Sequence, residues 1–147
     1  MNLPKYPLAS SDNLSVFEFT SVGKKGRISK LVQYSETNLK DVYNLAFGDK
    51  NPSTGKIDDT VISNNGDSES VLATIVETVY AFTNQNPEAL IYATGSTKAR
   101  TRLYRMGISK YLSEAKIDFE IYGQIDGKWQ TFKKGVDYEG FLVKRKK

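Results

Sequence analysis

The sequence ALIYATGSTKARTRLYRM, Ala89 to Met106, places an apolar, strand-like run directly before a small polar turn and a basic helix. Helix starts normally carry acidic residues, which suit the partial positive charge there. This helix instead carries Lys98 and Arg100 in its first turn. The pattern therefore predicts a bound or neighbouring anion at the start of the helix.

Three strands and a helix are predicted before this segment. Alternating apolar and polar residues indicate strands at Leu14–Thr20 and Arg27–Tyr34, which are joined by a Gly-Lys-Lys-Gly turn typical of hairpins. A third strand is predicted at Val42–Phe47. The clearest helix is Ser68–Asn84, which has apolar residues along one stripe and Asp67 as its natural N-cap.

After the apolar strand, the basic helix is predicted to run to about Glu114 with a disturbance at Gly107. Strands at Asp118–Ile125 and Lys128–Phe132 flank an Asp-Gly hairpin turn, and Tyr138–Val143 adds a candidate last strand. Hairpins at both ends require antiparallel pairs, whereas the central strand-helix-strand-helix segment permits a parallel one. The predicted class is α+β, with a mixed, largely antiparallel sheet and two helices in the order β-β-β-α-β-α-β-β.

Length and composition indicate one globular domain over residues 1–147, with flexible ends at 1–13 and 144–147. Charged residues make up 26% of the chain and apolar residues 39%, which is ordinary for a soluble protein. No run approaches the roughly 20 apolar residues of a membrane helix, and no signal peptide begins the chain. We therefore expect a cytoplasmic protein that has no membrane partner.

Cysteine and histidine are both absent. Their absence excludes disulfides, thiol nucleophiles, cysteine metal sites and the serine-histidine and cysteine-histidine mechanisms. Carboxylates, Lys, Tyr, Ser and Thr are left for any chemistry. Since no complete catalytic signature occurs, the sequence decides neither whether the chain is an enzyme nor which cofactor it uses, and it indicates no oligomeric state.

Helical phasing separates the cations of the basic helix into two classes. A solvent-facing side carries Lys98, Arg102, Arg105, Ser109 and Ser113, and the apolar side carries Ala99, Leu103, Met106 and Gly107. Arg100 falls at the edge of the apolar side, near Tyr104. A partly buried guanidinium needs a carboxylate, a carbonyl or a bound anion, so an internal ion pair and a ligand are alternative partners.

In the ligand interpretation, backbone N–H groups, hydroxyls and cations at the start of the basic helix hold a phosphate-bearing small molecule. The residues expected to bind it are Gly95, Ser96, Thr97, Lys98 and Arg100, with Asn65 or Asp67 closing the site. The segment lacks the longer glycine frame and terminal Lys-Ser/Thr of a P-loop. Nucleoside triphosphate hydrolysis is therefore not supported.

The long loop over residues 48–67 carries a second cluster of oxygen ligands, and its part Ile57–Ser63 is compatible with a short extra strand. The cluster comprises Asp49, Asp58, Asp59, Asn64, Asn65 and Asp67. Such groups can bind a hard cation, but their spacing does not match a calcium loop. Turn and cap chemistry explains most of them, so we predict no metal site.

Four phrases resemble a family of small uncharacterised bacterial proteins, mostly from Bacteroidota: Val42–Asp49, Ser63–Asp67, Val71–Thr74 and Gly95–Tyr104. The resemblance covers nearly the whole chain and implies no activity. It implies that five polar residues belong to one site, namely Asn44, Asp49, Asn65, Asp67 and Arg100.

The order of elements is also similar to that of GNAT-type N-acetyltransferases, whose later part runs three strands, helix, strand, helix, two strands. Their last helix often carries Ala-x-x-Leu-Tyr-x-x-x-Gly-Phe, with the Tyr as general acid, and Leu103–Tyr104 match its centre. Arg100 replaces the Ala, and the pyrophosphate-binding loop of that family is absent. The resemblance implies a related topology and, as an alternative function, a divergent acyltransferase that uses acetyl-CoA and Tyr104.

A third alternative is nucleic-acid binding, because the net charge is +4 and the chain ends in a basic tail at Lys144–Lys147. The further cations would be Lys24, Lys25, Lys98, Arg102 and Arg105. Strand aromatics can stack bases, although core packing is their commoner use. These aromatics are Tyr34, Tyr43, Phe47, Tyr122, Trp129, Phe132, Tyr138 and Phe141.

Overall fold

A computed structural model of the chain describes residues 5–58, 64–94 and 98–146, apart from the side chains at positions 98, 99, 100 and 103. The helices are Ser68–Gln85 (α1) and Lys98–Asp118 (α2). The strands are Ala9–Ser10 (β1), Val16–Gly23 (β2), Gly26–Glu36 (β3), Val42–Asp49 (β4), Leu90–Ala93 (β5), Phe119–Ile125 (β6), Lys128–Thr131 (β7) and Gly140–Arg145 (β8). Within these ranges, neither helix is long and apolar enough to cross a membrane.

The strands form one mixed sheet in the order β1-β2-β3-β4-β5-β8-β6-β7. The β4–β5 pair is parallel, and β1–β2, β2–β3, β5–β8, β6–β8 and β6–β7 are antiparallel. The predicted α+β class and the predicted order of strands and helices are confirmed. Two strands add to that order. The two-residue β1 was not predicted, and β8 is the candidate last strand that the pattern at Tyr138–Val143 indicated.

The chain divides into two compact units. One comprises Met1–Tyr34 and Ala46–Gln85, and the other comprises Ser35–Leu45 and Asn86–Lys147, so β4 contributes residues to both. The single domain expected over residues 1–147 stays a prediction. Of the ends that were expected to be flexible, residues 9–10 form β1, and Lys144 pairs with Leu90 in the sheet.

In the first unit, α1 buries the predicted apolar stripe. Val71, Leu72, Ile75 and Phe82 are all at most 6% exposed. The Phe82 ring stacks on Tyr34 of β3 with 4.2 Å between ring centroids. The helix ends at Gln85, directly before Asn86-Pro87, as predicted.

In the second unit, alternate residues of β5, β6 and β8 build the core. Ile91, Ile121 and Phe141 are buried. A Cβ atom at Gly123 would lie 2.4 Å from the Tyr138 ring, so this position of β6 accepts only glycine. Packing against a ring therefore fixes the residue type here.

The structure corrects three predictions about α2. The helix continues to Asp118, and its irregular residue is Tyr111 (φ −106°, ψ 15°), not Gly107, because an isolated buried glycine is tolerated inside a helix. Met106 was placed on the apolar side but is 49% exposed. Arg105 was assigned to solvent, and its side chain forms an ion pair with the exposed Asp137 from the β7–β8 connection. Helical phasing alone does not show which residues of a later loop contact the helix.

Candidate functional site

Asn65 joins the segment before α1 to the β2–β3 hairpin, and its side chain is almost fully buried at 2% exposure. The Asn65 backbone carbonyl accepts from the Lys24 N–H at 3.1 Å, and its Oδ1 accepts from the Lys25 N–H at 2.5 Å. Its Nδ2 donates to the Gly26 carbonyl at 2.8 Å and to Ser21 Oγ at 3.2 Å. Both amide hydrogens and the amide oxygen are thus engaged inside the protein.

Glycine at position 23 permits this contact. A Cβ atom at Gly23 would lie 2.0 Å from the Asn65 carbonyl oxygen, so any side chain would push the two segments apart. Gly66, which follows Asn65, has φ +78°, in the left-handed region that favours glycine. The close approach of Asn65 to the hairpin therefore explains Gly23, and the left-handed backbone explains Gly66.

Asp67 lies directly before α1, where it was predicted to be the N-cap. Its carbonyl accepts from the Val71 N–H at 3.0 Å, the first hydrogen bond of the helix. Its Oδ2 accepts from the Tyr6 hydroxyl and from Ser21 Oγ, both at 2.5 Å. Burial raises the pKa of Tyr6, and the hydrogen bond to Asp67 raises it further. Tyr6 therefore stays a neutral donor to the carboxylate.

Ser21 brings the predicted site residues Asn65 and Asp67 together, because its fully buried hydroxyl contacts both side chains. Sequence reasoning missed Ser21 and Tyr6. For Ser21 a signal existed: it continues the alternation of Phe17 and Phe19, which point into the core of the first unit. Tyr6 lies 61 positions before Asp67, so no local spacing relates the two residues.

A second buried polar group lies between β3 and β4. Lys30 is 2% exposed and forms an ion pair with Asp49, and its Nζ lies 5.8 Å from the centroid of the Phe47 ring. Sequence reasoning missed Lys30, although it occupies an inward position between Ile28 and Val32. Asp49 was predicted to belong to a polar site, and the structure gives it this internal cation as a partner.

The predicted anion site at the start of α2 is described only in part. Gly95, Ser96 and Thr97 lie outside the described residues, and so do the side chains of Lys98 and Arg100. The backbone places Lys98 and Arg100 in the first turn of α2, and no acidic residue occurs in that turn. The Tyr104 side chain is 7% exposed. Binding of an anion here stays a prediction.

Two further predictions concern Asn44 and the segment Ile57–Ser63. Asn44 lies in β4 opposite Tyr92 of β5, within the second unit. Ile57 forms an isolated bridge with Lys50, whereas the rest of the predicted extra strand, from Asp59 to Ser63, lies outside the described residues. Among residues 5–58, 64–94 and 98–146, no three acidic side chains group together as metal ligands would.

The strand aromatics are used mainly in the core. Five of the eight predicted candidates are buried: Tyr34, Phe47, Phe132, Tyr138 and Phe141. Trp129 is 40% exposed, and its ring packs edge-on against Tyr92 with 5.7 Å between centroids. Among the predicted cations, Lys24, Lys25 and Arg102 are exposed.

Comparison with protein-family models matches residues 2–146 to a family of unknown function (DUF6934). No curated protein and no solved structure matches the chain. The match confirms the predicted resemblance to an uncharacterised family and assigns no activity.

Proposed function

The chain belongs to DUF6934, a family of unknown function, and we propose that it is a small binding or regulatory domain whose anion site lies at the start of α2. The expected ligand is a phosphate-bearing small molecule. One observation carries the proposal: α2 begins at Lys98 soon after β5 and has no acidic residue in its first turn. The partial positive charge of a helix start attracts anions, and Lys98 and Arg100 add to it.

The start of α1 supports the proposal by contrast. There the chain supplies its own acids, with Asp67 directly before the helix and Glu69 in its first turn. Asp67 also accepts two hydrogen bonds from side chains of the same unit. An external anion would meet repulsion at α1, whereas the first turn of α2 carries cations instead.

The proposed roles follow from residue chemistry. Lys98 and Arg100 neutralise the anion, and the N–H groups and hydroxyls of the preceding Gly95, Ser96 and Thr97 orient it. Asn65 and Asp67 were expected to close the site. Because their side chains hydrogen-bond to the hairpin, Ser21 and Tyr6, we assign them to shaping the segment before α1 and not to direct ligand contact.

The test is thermal unfolding with inorganic pyrophosphate, nucleotides and phosphosugars. A ligand that binds the folded state raises the melting temperature, and Arg100→Ala should abolish that rise while leaving the far-UV spectrum unchanged. Arg102→Ala is the matched control, since Arg102 is an exposed arginine of the same helix, two positions after Arg100. The proposal fails if none of these ligands stabilises the parent protein, or if Arg100→Ala keeps the full effect.

A divergent acyltransferase is the second candidate, because the order of β2, β3, β4, α1, β5, α2, β6 and β7 agrees with what the resemblance to GNAT-type enzymes implies. In this function Tyr104 acts as the general acid. Acetyl-CoA should then bind, and Tyr104→Phe should slow transfer without weakening cofactor binding. Calorimetry that detects no binding of millimolar acetyl-CoA excludes this candidate.

A further inference from the structure

The outer edge of β2 is incompletely paired. In a hairpin closed by a two-residue turn, the two flanking residues form a hydrogen-bonded pair, and here these are Gly23 and Gly26. From that pair onward, successive residues of β2 direct their backbone N–H and C=O groups alternately toward β3 and away from it. Val16, Glu18, Thr20 and Val22 therefore direct their N–H and C=O groups away from β3. The hydrogen bond from the Ser11 N–H to the Val16 carbonyl, 2.9 Å long, agrees with this assignment.

Pro7 explains why the pairing stops. Ala9 of β1 lies opposite Glu18, so the same register would set Pro7 opposite Thr20. Proline has no N–H to donate to the Thr20 carbonyl, and the paired strand ends at Ala9. The outward N–H and C=O of Thr20 are left without a hydrogen-bond partner among the residues that the structure describes.

Tyr6 closes the edge beyond Thr20. The N–H of Val22 donates to the Tyr6 hydroxyl at 3.2 Å, and that hydroxyl also lies 3.2 Å from the Val22 carbonyl. A side chain thus occupies the place where the next residue of an added strand would bind. Any strand that pairs with Thr20 and runs in the direction of β2 must end beside Val22.

A groove of about 420 Å³ lies along this open stretch, between residues 6–9 and β2. Its walls include Pro7, Leu8 and the half-exposed Val22. Arg27 lies opposite Val22 and lines the same groove, and its guanidinium has no ion pair or hydrogen bond within the described parts of the chain. At the other end, the Glu18 carboxylate is neutralised by Lys50 at 3.0 Å.

We propose that this groove binds the C-terminal end of a peptide as a short parallel strand beside β2. A backbone carbonyl of the peptide accepts from the Thr20 N–H, and the amide N–H of its last residue donates to the Thr20 carbonyl. The terminal carboxylate then lies beside Val22, where Arg27 binds it, and the Tyr6 hydroxyl, which contacts both Val22 and Asp67, separates it from the Asp67 carboxylate. The residue before the last lies opposite Thr20, so its side chain shares the face of β2 that carries Thr20 and Val22, and an apolar side chain there packs against Val22. This site is separate from the proposed anion site on α2.

The direction of the peptide follows from the positions of the charges. A parallel strand carries its C-terminus toward Val22 and Arg27, whose guanidinium has no partner among the described residues, and its N-terminal side toward Glu18. An antiparallel strand would carry the carboxylate away from Arg27 and toward Glu18, where Lys50 is already paired with the Glu18 carboxylate. The Tyr6 hydroxyl adds a steric reason, because it occupies the Val22 N–H and blocks any strand that would continue past Val22.

The probe is N-acetyl-Leu-Ala with a free carboxylate, and its binding is measured by the backbone amide signals of the ¹⁵N-labelled full chain. We expect saturable shifts at Thr20 and Val22, and much weaker binding of the same peptide with an amidated C-terminus. Arg27→Gln should weaken binding of the acid by about tenfold or more, since a charge-assisted contact is lost. Lys25→Gln is the matched control, because Lys25 is an exposed cation of the same hairpin that does not line the groove.

A second pair of variants tests Thr20 itself. Thr20→Pro removes the outward N–H without breaking the ladder to β3, whereas Thr20→Val keeps it, so only the proline variant should lose binding. If Thr20→Pro fails to fold, the proposal is still tested by comparing the peptide acid with the amidated peptide and by Arg27→Gln. The proposal is overturned if about 10 mM peptide shifts no groove signal, if the amidated peptide binds equally well, or if Arg27→Gln binds like the parent.

Discussion

The Tyr111 hydroxyl lies buried in α2 and has no hydrogen-bond partner among the described residues. Burial raises the pKa of this phenol, and the charge of Glu114 raises it further. The residue also departs from helical backbone angles. A buried hydroxyl that gives up its bonds to water without replacing them costs about 1–3 kcal/mol. Tyr34 is the opposite case, since its hydroxyl lies 2.8 Å from Thr78 Oγ1.

We therefore predict that Tyr111→Phe raises the free energy of unfolding by about 1 kcal/mol, because it removes the unpaired hydroxyl and keeps the ring. Tyr34→Phe is the matched control and should lower it by about 1 kcal/mol, because it breaks a buried hydrogen bond. Urea unfolding of the three proteins measures both differences. A loss of stability in Tyr111→Phe as large as that in Tyr34→Phe would contradict the prediction.

Between β3 and β4, the Lys30–Asp49 pair is the most deeply buried ion pair of the described residues. Removing one partner of such a pair leaves an uncompensated charge, whereas replacing both with apolar residues of similar volume is often neutral. The Lys50–Glu18 pair offers a comparison nearer the surface, because its side chains are 33% and 37% exposed; it joins the residue after β4 to β2.

We predict that Lys30→Met lowers the free energy of unfolding by about 3 kcal/mol or more, and that the Lys30→Met/Asp49→Leu double variant loses less than this single variant. Lys50→Met should cost less than about 1 kcal/mol, since exposed pairs contribute little. Denaturant unfolding and a double-mutant cycle provide the values. Additive losses in the double variant would show that the two charges do not depend on each other.

The elements that depend on short-range patterns were predictable. Alternation located β2 and β3, turn residues located both hairpins and the end of β4, and one apolar stripe located α1. The two-residue β1 was missed because it is too short to show a period, and its position is set by the register with β2. The irregularity at Tyr111 was missed because tyrosine is not a helix-breaking residue, so the local sequence does not mark it.

The polar residues also divide into those that a local pattern predicts and those that only the folded chain brings together. Asp67 was predictable as the residue before α1, because capping is local. Its side-chain partners, Tyr6 and Ser21, lie 61 and 46 positions away, so only the folded chain shows them. Asn65 was expected to bind a ligand because it is polar and lies in a long loop, but the structure shows that its amide joins that loop to the hairpin.

Over the whole molecule, the net charge of +4 comes from cations that lie on several elements. Lys24 and Lys25 form the hairpin turn, Arg102 lies on α2, and Arg105 is paired with Asp137. A nucleic-acid-binding protein would use several of these cations at once, releasing about one counterion for each phosphate contact. A single anion site at the start of α2 would use only the two cations of its first turn.

These two functions predict different salt dependences. If one anion site binds a nucleotide, the logarithm of its affinity should fall with the logarithm of salt concentration with a slope no steeper than about −2. The Lys24→Gln/Lys25→Gln variant should bind the nucleotide like the parent, because the hairpin turn is not part of that site. Fluorescence titration between low and physiological salt measures both quantities. A single-stranded oligonucleotide that binds more tightly than the nucleotide, with a slope of about −4 or steeper and a clear loss in the hairpin variant, would support nucleic-acid binding instead.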